Sequence, residues 1–238
     1  MKAFLLAAGN GTRLKPLTDR IPKCLVPIRG TPMLSLWLQL CRRFNIDEVT
    51  INLHAHASQV RDYLAANTQG VRVHIYEEPE LLGSAGTLRA NADWVRQEHD
   101  FWVFYGDVLT ATDLEKMLGY HRQRRGIATL GVYEVPDPRR CGIVTPDEQG
   151  LVCNFVEKPS NPSSNLAFAG ILVATPALLH YIPARYPADL GFEVLPQLVG
   201  RMYAYSIREY LIDVGTFENY QAAQRDWPGL DENPAVWQ

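Results

Sequence analysis

Short apolar runs alternate with segments of helical spacing over the first 106 residues, and this alternation limits the possible folds more than any other feature. The predicted strands are residues 2–8, 49–53, 71–77 and 101–106, and the predicted helices between them are residues 33–44, 56–67 and 85–96. The second and fourth runs are almost wholly apolar, which is typical of strands covered on both faces. Repeated strand–helix–strand units predict right-handed crossovers and a parallel sheet.

The pattern changes at residue 128, where short β-like runs are broken by Pro, Gly, Asp and Asn. The further predicted strands are residues 128–135, 143–145, 151–157, 167–174, 203–207 and 210–214, and the further predicted helices are residues 176–181, 191–198 and 216–227. The predicted fold class is therefore α/β, with a Rossmann-like, mostly parallel sheet flanked by helices and a small β-rich lobe. We predict one domain over residues 1–228 and a loosely held surface tail over residues 229–238.

Composition excludes several classes of function. The 238 residues are 47% hydrophobic, enough for a large core, and the net charge of −3 argues against a general nucleic-acid-binding protein. The apolar run near Met1 is shorter than a membrane span and has no signal-peptide pattern, so we expect a cytoplasmic protein with no membrane partner. The cysteines have no CxxC pair and no common zinc spacing, and we expect buried or incidental thiols at Cys24, Cys41, Cys141 and Cys153.

A glycine-rich turn, GNGTRL, follows the first predicted strand at residues 9–14. Backbone N–H groups in such a turn can approach a phosphate closely. The turn is not the dinucleotide fingerprint, because Leu14 stands where that motif has its third glycine, and it lacks the GKS or GKT ending of a P-loop. We therefore expect an anion site of another kind.

Four cations follow the two glycines of this turn, in a segment whose prolines prevent a continuous helix. They are Arg13, Lys15, Arg20 and Lys23. Arg13 follows Gly-Thr and Lys23 lies within Pro-Lys-Cys-Leu, and this placement favours a charge clamp on a polyphosphate. Ordinary solvated surface cations are the alternative, and for Lys15 and Arg20 the two interpretations are equally good.

Two apolar runs end in an aspartate, at Asp107 and at Asp213. Ligands of parallel sheets bind outside the carboxyl ends of the strands. Mg²⁺ takes few protein oxygens and keeps water and substrate phosphate, so both carboxylates are candidate ligands. Each aspartate could instead cap the helix that follows it.

The sequences AAGNGTRLKPLT at residues 7–18 and PKCLVP at residues 22–27 resemble the opening motif of the sugar-1-phosphate nucleotidyltransferases, the NDP-sugar pyrophosphorylases. The family often has Gly-Gly where this chain has Ala8-Gly9. The resemblance continues over nearly the whole chain. It implies the reaction of an NTP with a sugar 1-phosphate to give an NDP-sugar and pyrophosphate, without a general base, since the attacking phosphate oxygen is already anionic.

The resemblance also implies a role for individual residues. The implied catalytic charges are Arg13, Lys23 and Lys158. The implied nucleotide-binding residues are Leu6, Ala8, Gly9, Asn10, Gly11, Thr12, Gly83 and Ser84. The implied sugar-phosphate-binding residues are Gly142, Glu157, Lys158 and Gly170. The implied cofactor is Mg²⁺, held by Asp107 and Asp213.

Several of these residues have a simpler interpretation. The sequence LGSAG at residues 82–86 is similar to the guanylyl-transferring branch, but Ser84 could equally cap a helix. Glu157 and Lys158 could form a surface ion pair of little energetic weight. The DLGFE sequence at residues 189–193 is read as capping and packing. Phe168 stands where the family often has Asn, which leaves the sugar open.

The resemblance predicts GTP and mannose 1-phosphate or manno-heptose 1-phosphate as substrates. A UTP- or dTTP-dependent enzyme acting on glucose 1-phosphate or a muramyl sugar is the main alternative. A phosphocholine-type cytidylyltransferase or a non-catalytic regulatory homologue would be further alternatives. Family habit makes a homo-oligomer possible, and we expect an NTP and a sugar 1-phosphate as the partners.

Overall fold

The computed structural model describes residues 1–9 and 11–230. Asn10, which is one of the predicted nucleotide-binding residues, and residues 231–238 of the predicted tail lie outside the described residues.

Helices and strands alternate over the first half of the described chain, as the apolar pattern predicts. The strands are β1 Lys2–Leu6, β2 Pro27–Ile28, β3 Thr31–Pro32, β4 Glu48–Leu53, β5 Arg72–Glu77, β6 Phe101–Tyr105, β7 Val108–Thr110, β8 Ala128–Glu134, β9 Gly142–Pro146, β10 Val152–Glu157, β11 Leu166–Ala174, β12 Met202–Ser206 and β13 Leu211–Asp213. The α-helices are α1 Met33–Arg43, α2 Ala57–Leu64, α3 Ser84–Ala90, α4 Ala92–Val95, α5 Leu114–Arg124 and α6 Phe217–Asp226.

Strand β1 lies at the centre of the parallel part of the sheet. It pairs in parallel with β4 on one side and β6 on the other, so that Leu6 stands opposite both Asn52 and Tyr105. Strand β5 pairs in parallel with β4. The predicted parallel sheet is confirmed, and the carboxyl ends of these strands meet at one edge.

The β-rich second half extends the same sheet. Strand β11 pairs antiparallel with β6, with Ile171 opposite Phe104, and the order across the sheet is β10-β9-β11-β6-β1-β4-β5. Strands β8 and β12 join beside β11. In the antiparallel β9–β10 pair, Glu157 stands opposite Gly142. The pairing of β11 with β6 therefore brings the second half of the chain against the strand that precedes Asp107.

Both faces of the sheet are covered, so neighbouring residues of a strand enter different clusters. Leu5 packs on the face covered by α1 and α5, whereas Phe4 packs on the face covered by α3. Trp102 and Val103 of β6 divide in the same way. Burial on both faces explains why these strands are continuous apolar runs.

Some elements differ from the sequence prediction. The sequence does not predict helix α5 or strand β7. Strand β7 is short and is defined by its antiparallel pairing with β13, and α5 buries only Leu114, Met117 and His121. Its one local signal is Asp113, whose side chain accepts a hydrogen bond from the backbone N–H of Lys116. The predicted helix at residues 85–96 divides at Asn91 into α3 and α4.

Two of the three later predicted helices have turns tighter or wider than those of an α-helix, whereas the third is the α-helix α6. Pro176–Tyr181 is a 3₁₀ helix, and the segment predicted as a helix at residues 191–198 is a π-helical turn, Leu190–Val194, followed by the 3₁₀ turn Leu195–Leu198. Over residues 1–9 and 11–230, no helix combines the length and apolar character that a membrane crossing needs.

Candidate active site

A cavity of about 460 Å³ opens at the carboxyl ends of the parallel strands. Most of its lining residues lie at the ends of β1, β5 and β6 or in the loops that follow them, and Asn52 of β4 and Gly215 after β13 complete the lining. The cavity brings together ten of the residues predicted from the sequence. They are Leu6, Ala8, Gly9, Gly11, Thr12, Arg13, Lys23, Gly83, Ser84 and Asp107. The loop positions expected for a ligand of a parallel sheet are thus the ones that line the cavity.

Thr18 fixes the glycine-rich turn. Its hydroxyl donates a hydrogen bond of 2.8 Å to the carbonyl oxygen of Gly11, which has a φ of +61°. A Cβ placed on Gly11 would lie 2.9 Å from Cγ2 of Thr18, so a side chain there would force the turn apart. Gly9 differs, because a Cβ added there would meet no described atom within 4 Å. Gly9 therefore leaves open space at the cavity wall.

Lys23 contacts the aspartate that follows β6 at the cavity wall. Its Nζ lies 2.7 Å from Oδ2 of Asp107, and the Lys23 side chain is only 11% exposed. The backbone at Pro22 is extended and a short 3₁₀ turn follows from Lys23 to Leu25, which fixes the start of the lysine side chain. Lys23 and Asp107 thus form a largely enclosed ion pair at the cavity wall.

Asp213 lies next to this pair although it is 106 positions after Asp107 in the chain. Strands β7 and β13 pair antiparallel, and the backbone N–H of Val214 donates to the carbonyl oxygen of Asp107 at 2.8 Å. Burial and the charge of Asp107 raise the pKa of Asp213, against the opposing effect of Lys23 and Arg13. The two carboxylates predicted as metal ligands therefore share one electrostatic site.

Gly215 separates Asp213 from Arg13. A Cβ placed on Gly215 would lie 2.6 Å from Oδ1 of Asp213 and 2.9 Å from Nη2 of Arg13, and Gly215 itself lines the cavity. The helix-cap alternative for Asp213 does not hold, because Thr216 caps α6 by accepting a hydrogen bond from the N–H of Asn219. The glycine allows arginine and aspartate to approach the same point.

The chemistry of this site fits Mg²⁺. Oδ1 of Asp213 is buried and has no hydrogen-bond partner among the described residues, and carboxylate oxygens are ligands that Mg²⁺ prefers. Within the described part of the chain, no group of three or more His, Cys, Asp or Glu side chains forms a fuller metal cluster. A site made from Asp107 and Asp213 would leave coordination positions for substrate oxygens and water.

A buried polar network on the other side of the cavity was not predicted from the sequence. Oδ1 of Asn52 accepts the N–H of Ala7 at 2.7 Å, and its Nδ2 donates to Oε1 of Glu78 at 2.9 Å. Glu78 also accepts the N–H of Leu82 through Oε2. Both side chains line the cavity and are buried. One feature of the sequence could have indicated this network. Asn52 lies inside the apolar run of β4, and a polar side chain buried there needs hydrogen-bond partners.

The turn at Gly83 and Ser84 packs against a distant segment. Gly83 has a φ of +78°, and a Cβ there would collide with the carbonyl oxygen of Ala188. The Ser84 hydroxyl donates to Oδ2 of Asp189 at 2.9 Å and accepts the N–H of Leu190 at 2.8 Å. Ser84 therefore does not cap α3 with its side chain; it joins the cavity wall to the segment that begins at Asp189.

Glu157 lies between two glycines. A Cβ placed on Gly142 would lie 2.6 Å from its Oε2, and one placed on Gly191 would lie 2.5 Å from the same atom. Burial raises the pKa of Glu157. Gly191, which the sequence reading assigned to packing, is thus a wall of the pocket around this carboxylate. Lys158 follows Glu157 with its side chain 55% exposed.

Gly170 has a packing role that the sequence did not identify. Its φ is +70°, and a Cβ there would lie 2.9 Å from Cβ of Tyr105. It lies where the register of β11 with β8 shifts between Phe168 and Leu172. Phe168 contacts Tyr105 edge to face, with ring centroids 5.7 Å apart. The glycine therefore lets β11 approach the cavity-lining Tyr105.

The predicted sugar-side residues do not line this cavity, but Gly170 adjoins it by packing against the lining residue Tyr105. Burial and the neighbouring charge of Asp189 raise the pKa of Tyr105, with smaller contributions from Glu157 and Asp107. Carboxylates of both the proposed nucleotide side and the proposed sugar side therefore influence Tyr105.

The remaining polar candidates from the sequence lie at the surface or in the core. Lys15 pairs with Asp19 at 3.0 Å, with both side chains mainly exposed, and Arg20 is exposed. This agrees with the interpretation of Lys15 and Arg20 as solvated cations. Cys24 lines the cavity but is buried, and burial raises the pKa of its thiol to about 12.

The chain is similar in sequence to one protein family and to several curated proteins. A family model described as nucleotidyl transferase matches residues 2–228. The chain is 31% identical to a UTP–glucose-1-phosphate uridylyltransferase of Synechocystis, covering 100% of this chain and 68% of the relative. It is also 31% identical to a mannose-1-phosphate guanylyltransferase of Mycobacterium tuberculosis, covering 98% of this chain and 67% of the relative.

A solved structure is similar over almost its whole length. HddC from Yersinia pseudotuberculosis, complexed with GMP-PN, superposes with a TM-score of 0.80 at 24% identity, covering 95% of this chain and 99% of that one. This similarity concerns the fold. Among curated relatives such as those from Synechocystis and Sulfolobus acidocaldarius, the chain spans 68% and 61% of their own length.

Proposed function

The chain belongs to the nucleotidyl transferase family, and we propose that it transfers a nucleotidyl group from an NTP to a sugar 1-phosphate, with release of pyrophosphate. Relatives named for this reaction use mannose 1-phosphate or glucose 1-phosphate. The observation that carries the proposal is the enclosed Lys23–Asp107 pair, with Asp213 and Arg13 beside it, at the wall of a cavity built from glycine-rich turns.

The reaction needs positioning and charge neutralisation more than proton transfer. The attacking sugar phosphate is anionic at neutral pH, so no general base is required. Catalysis then consists of holding the attacking oxygen, the α-phosphorus and the leaving pyrophosphate in line and neutralising their charge. This matches a site of fixed cations and carboxylates.

Each cation has a proposed place in this arrangement. Arg13 stabilises the departing pyrophosphate, and Lys23 stabilises the charge that develops on the α-phosphoryl group. Lys158 holds the incoming sugar phosphate. Nζ of Lys23 donates a hydrogen bond to Oδ2 of Asp107, and we propose that the other donors of this ammonium group contact phosphate oxygens of the nucleotide.

We propose Mg²⁺ as the cofactor, held by Asp107 and Asp213. When bound, it would act as a Lewis acid that polarises the α-phosphoryl group. Buried Oδ1 of Asp213, for which the described part of the chain supplies no hydrogen-bond partner, supports this assignment, because a metal ion would give this acceptor a partner.

The glycine turns form the proposed nucleotide site. Backbone around Leu6, Ala8, Gly9, Gly11 and Thr12 binds the phosphates and part of the nucleoside, with Asn10 assigned from the sequence motif. Gly83 and Ser84 form the wall proposed to face the base. The Asn52–Glu78 network keeps both turns in place.

Glu157 and the adjoining glycines form the proposed sugar site. Gly142 and Gly191 make room for the Glu157 carboxylate itself, which would accept hydrogen bonds from sugar hydroxyl groups. Gly170 supports this site by allowing β11 to pack on Tyr105.

GTP with mannose 1-phosphate or a manno-heptose 1-phosphate is the proposed substrate pair. The LGSAG sequence and the mannose-1-phosphate guanylyltransferases among the relatives support it. The Synechocystis relative, named for UTP and glucose 1-phosphate, supports the alternative pair. In this proposal residues 1–228 form one catalytic domain in the cytoplasm, acting alone or as a homo-oligomer, without nucleic-acid or membrane partners.

The test is a matrix of GTP, UTP, dTTP and CTP against mannose, glucose, manno-heptose and muramyl 1-phosphates, with phosphocholine as a further acceptor. Pyrophosphate release is measured with Mg²⁺ and with a chelator. We expect the highest kcat/KM for GTP with a manno-configured sugar, and loss of turnover with the chelator. If no pair of substrates gives pyrophosphate, the result would favour a non-catalytic homologue instead.

A further inference from the structure

The π-helical turn Leu190–Val194 carries an exposed aromatic side chain next to the proposed sugar site. Single π turns are rare and occur often at functional sites. Oδ1 of Asp189 accepts the backbone N–H of Phe192 at 3.0 Å and so fixes the turn where the ring begins. The Phe192 side chain is nevertheless exposed, at 57%.

The same turn is attached to the proposed nucleotide site. Oδ2 of Asp189 accepts a hydrogen bond from Ser84, and the N–H of Leu190 donates to the same serine hydroxyl. Ala188 adds two backbone contacts, since its carbonyl oxygen accepts the N–H groups of Ala85 and Gly86. The position of Phe192 is therefore set by the cavity wall.

Phe192 faces the proposed phosphate-binding lysine. Nζ of Lys158 lies 5.3 Å from the centroid of the Phe192 ring, within the range of a cation–π contact. The Lys158 backbone has a φ of +49°, which is uncommon for a side chain of this kind, and its N–H donates to the carbonyl oxygen of Cys141 at 2.9 Å. An unusual backbone conformation thus directs Lys158 over the ring.

Glu157 competes for the same ammonium group. Nζ of Lys158 lies 3.7 Å from Oε1 of Glu157, longer than the roughly 2.7–2.9 Å of a charged hydrogen bond. A close pair would occupy both the lysine donors and the carboxylate acceptor. An aromatic face attracts the cation without accepting a directed hydrogen bond, so the ammonium keeps its N–H donors for an anion.

We propose that Phe192 is a positioning residue that holds Lys158 away from Glu157 and ready for the phosphate of the sugar substrate. The proposal rests on the proposed function, because it takes the sugar phosphate as the anion. Gly191, which precedes Phe192 in the turn, packs against Glu157, so one short segment contacts both members of the pair.

The first test observes the contact without turnover. In ¹H–¹³C NMR spectra, the ε-methylene signal of Lys158, identified by its loss in Lys158→Arg, is expected upfield of other lysines because of the ring current. The upfield shift is expected to disappear in Phe192→Leu and to persist in Phe192→Tyr. A Lys158 signal at the ordinary position in the wild-type protein would overturn the proposal.

The second test measures substrate kinetics. Phe192→Leu is expected to raise KM for the sugar 1-phosphate about three- to fivefold with KM for NTP unchanged, whereas Phe192→Tyr restores the wild-type value. The matched control is Tyr181→Leu. The centroid of the Tyr181 ring lies 5.9 Å from Cζ of Arg201, and Tyr181 does not line the cavity. Tyr181→Leu is therefore expected to leave both KM values unchanged.

The outcomes separate the two proposals. Equal KM values in Phe192→Leu and the wild type, or equal defects in the Leu and Tyr variants, would overturn the role of Phe192 while nucleotidyl transfer stands. A wild-type protein without turnover would overturn the proposed function, and the NMR spectra, recorded with and without inorganic phosphate, would still decide whether the ring holds Lys158.

Discussion

Nζ of Lys23 lies 2.7 Å from Oδ2 of Asp107, although 84 positions of sequence separate the two residues. The lysine comes from a proline-flanked loop and the aspartate from the end of a buried strand. The pair joins the two sequence motifs that carry most of the proposed chemistry. Its position beside Asp213 makes it the part of the site where a substitution is most informative.

Loss of either charge of this pair is expected to abolish most turnover. Lys23→Ala and Asp107→Asn should each lower kcat/KM by roughly 10²–10³-fold, because each removes one charge that acts in the transition state. Circular dichroism and thermal unfolding check that the fold persists. Lys15→Ala is the control, since Lys15 forms only an exposed pair with Asp19. Wild-type activity in Lys23→Ala would contradict the proposal that Lys23 stabilises charge on the α-phosphoryl group.

Gly9→Ala tests whether the glycine turn approaches the nucleotide. A Cβ at Gly9 meets no described atom within 4 Å, so thermal stability should remain the same. If nucleotide fills that space, kcat/KM for NTP should fall on the order of 10- to 100-fold because the added methyl group displaces it.

Gly119→Ala provides the matched glycine control. Gly119 lies within α5, where a Cβ also has free space, and the change should raise the free energy of unfolding by about 0.5–1 kcal/mol without altering kinetics. Unchanged kinetics in Gly9→Ala as well would mean that nucleotide binds elsewhere.

Gly191→Ala tests the pocket around Glu157. The new Cβ would lie 2.5 Å from Oε2 of Glu157 and push the carboxylate from its place. KM for the sugar 1-phosphate should rise about 10- to 100-fold, equivalent to one lost charged hydrogen bond, with KM for NTP unchanged. Glu157→Gln should act in the same direction. Steady-state kinetics with each substrate varied in turn measure the two KM values separately. An equal rise in KM for the sugar 1-phosphate and in KM for NTP would contradict the assignment.

Asp100 gives a prediction about stability far from the proposed chemistry. Burial would raise its pKa, but hydrogen bonds from Arg122 and His99 and the nearby His121 outweigh burial and lower the pKa. A lowered pKa stabilises the fold above the ordinary value of about 3.9, and that contribution is lost as pH falls through the folded-state value.

Asp100→Asn should therefore reduce the free energy of unfolding at pH 7 by about 1–3 kcal/mol. The difference from wild type should be smaller at about pH 3, below the ordinary carboxyl value of about 3.9, because the unfolded wild-type chain then takes up a proton and the contribution of the charge to stability falls. Urea unfolding at both values of pH measures it. Asp93→Asn is the control, because Asp93 pairs with Arg96 in solvent. A deficit that is the same at both values of pH would contradict the electrostatic explanation.

Structure and candidate site residues could be predicted from the sequence where the evidence lay within a single strand or a single loop. Apolar periodicity predicted the parallel strands, and their ends predicted that Asp107 would face a ligand site, since strand ends of a parallel sheet share one edge. The proline-flanked loop distinguished Arg13 and Lys23 from Lys15 and Arg20. These predictions depend on local sequence and on rules of chain topology.

Contacts between distant segments could not be predicted. Ser84 and Asp189 are 105 positions apart, and nothing in either motif indicates that they bond. Asn52 and Glu78 share one network only because β4 and β5 pair side by side. Helix α5 was missed because its buried side is narrow and most of its residues are polar.

The central claim is nucleotidyl transfer to a sugar 1-phosphate, and its most direct measurement follows pyrophosphate and NDP-sugar together with purified protein, GTP, mannose 1-phosphate and Mg²⁺. We predict equal amounts of both products, no pyrophosphate without the sugar 1-phosphate, and a large loss of both products in Asp107→Asn. Pyrophosphate formed without the sugar 1-phosphate, or no product with any NTP and sugar 1-phosphate pair, would contradict the claim.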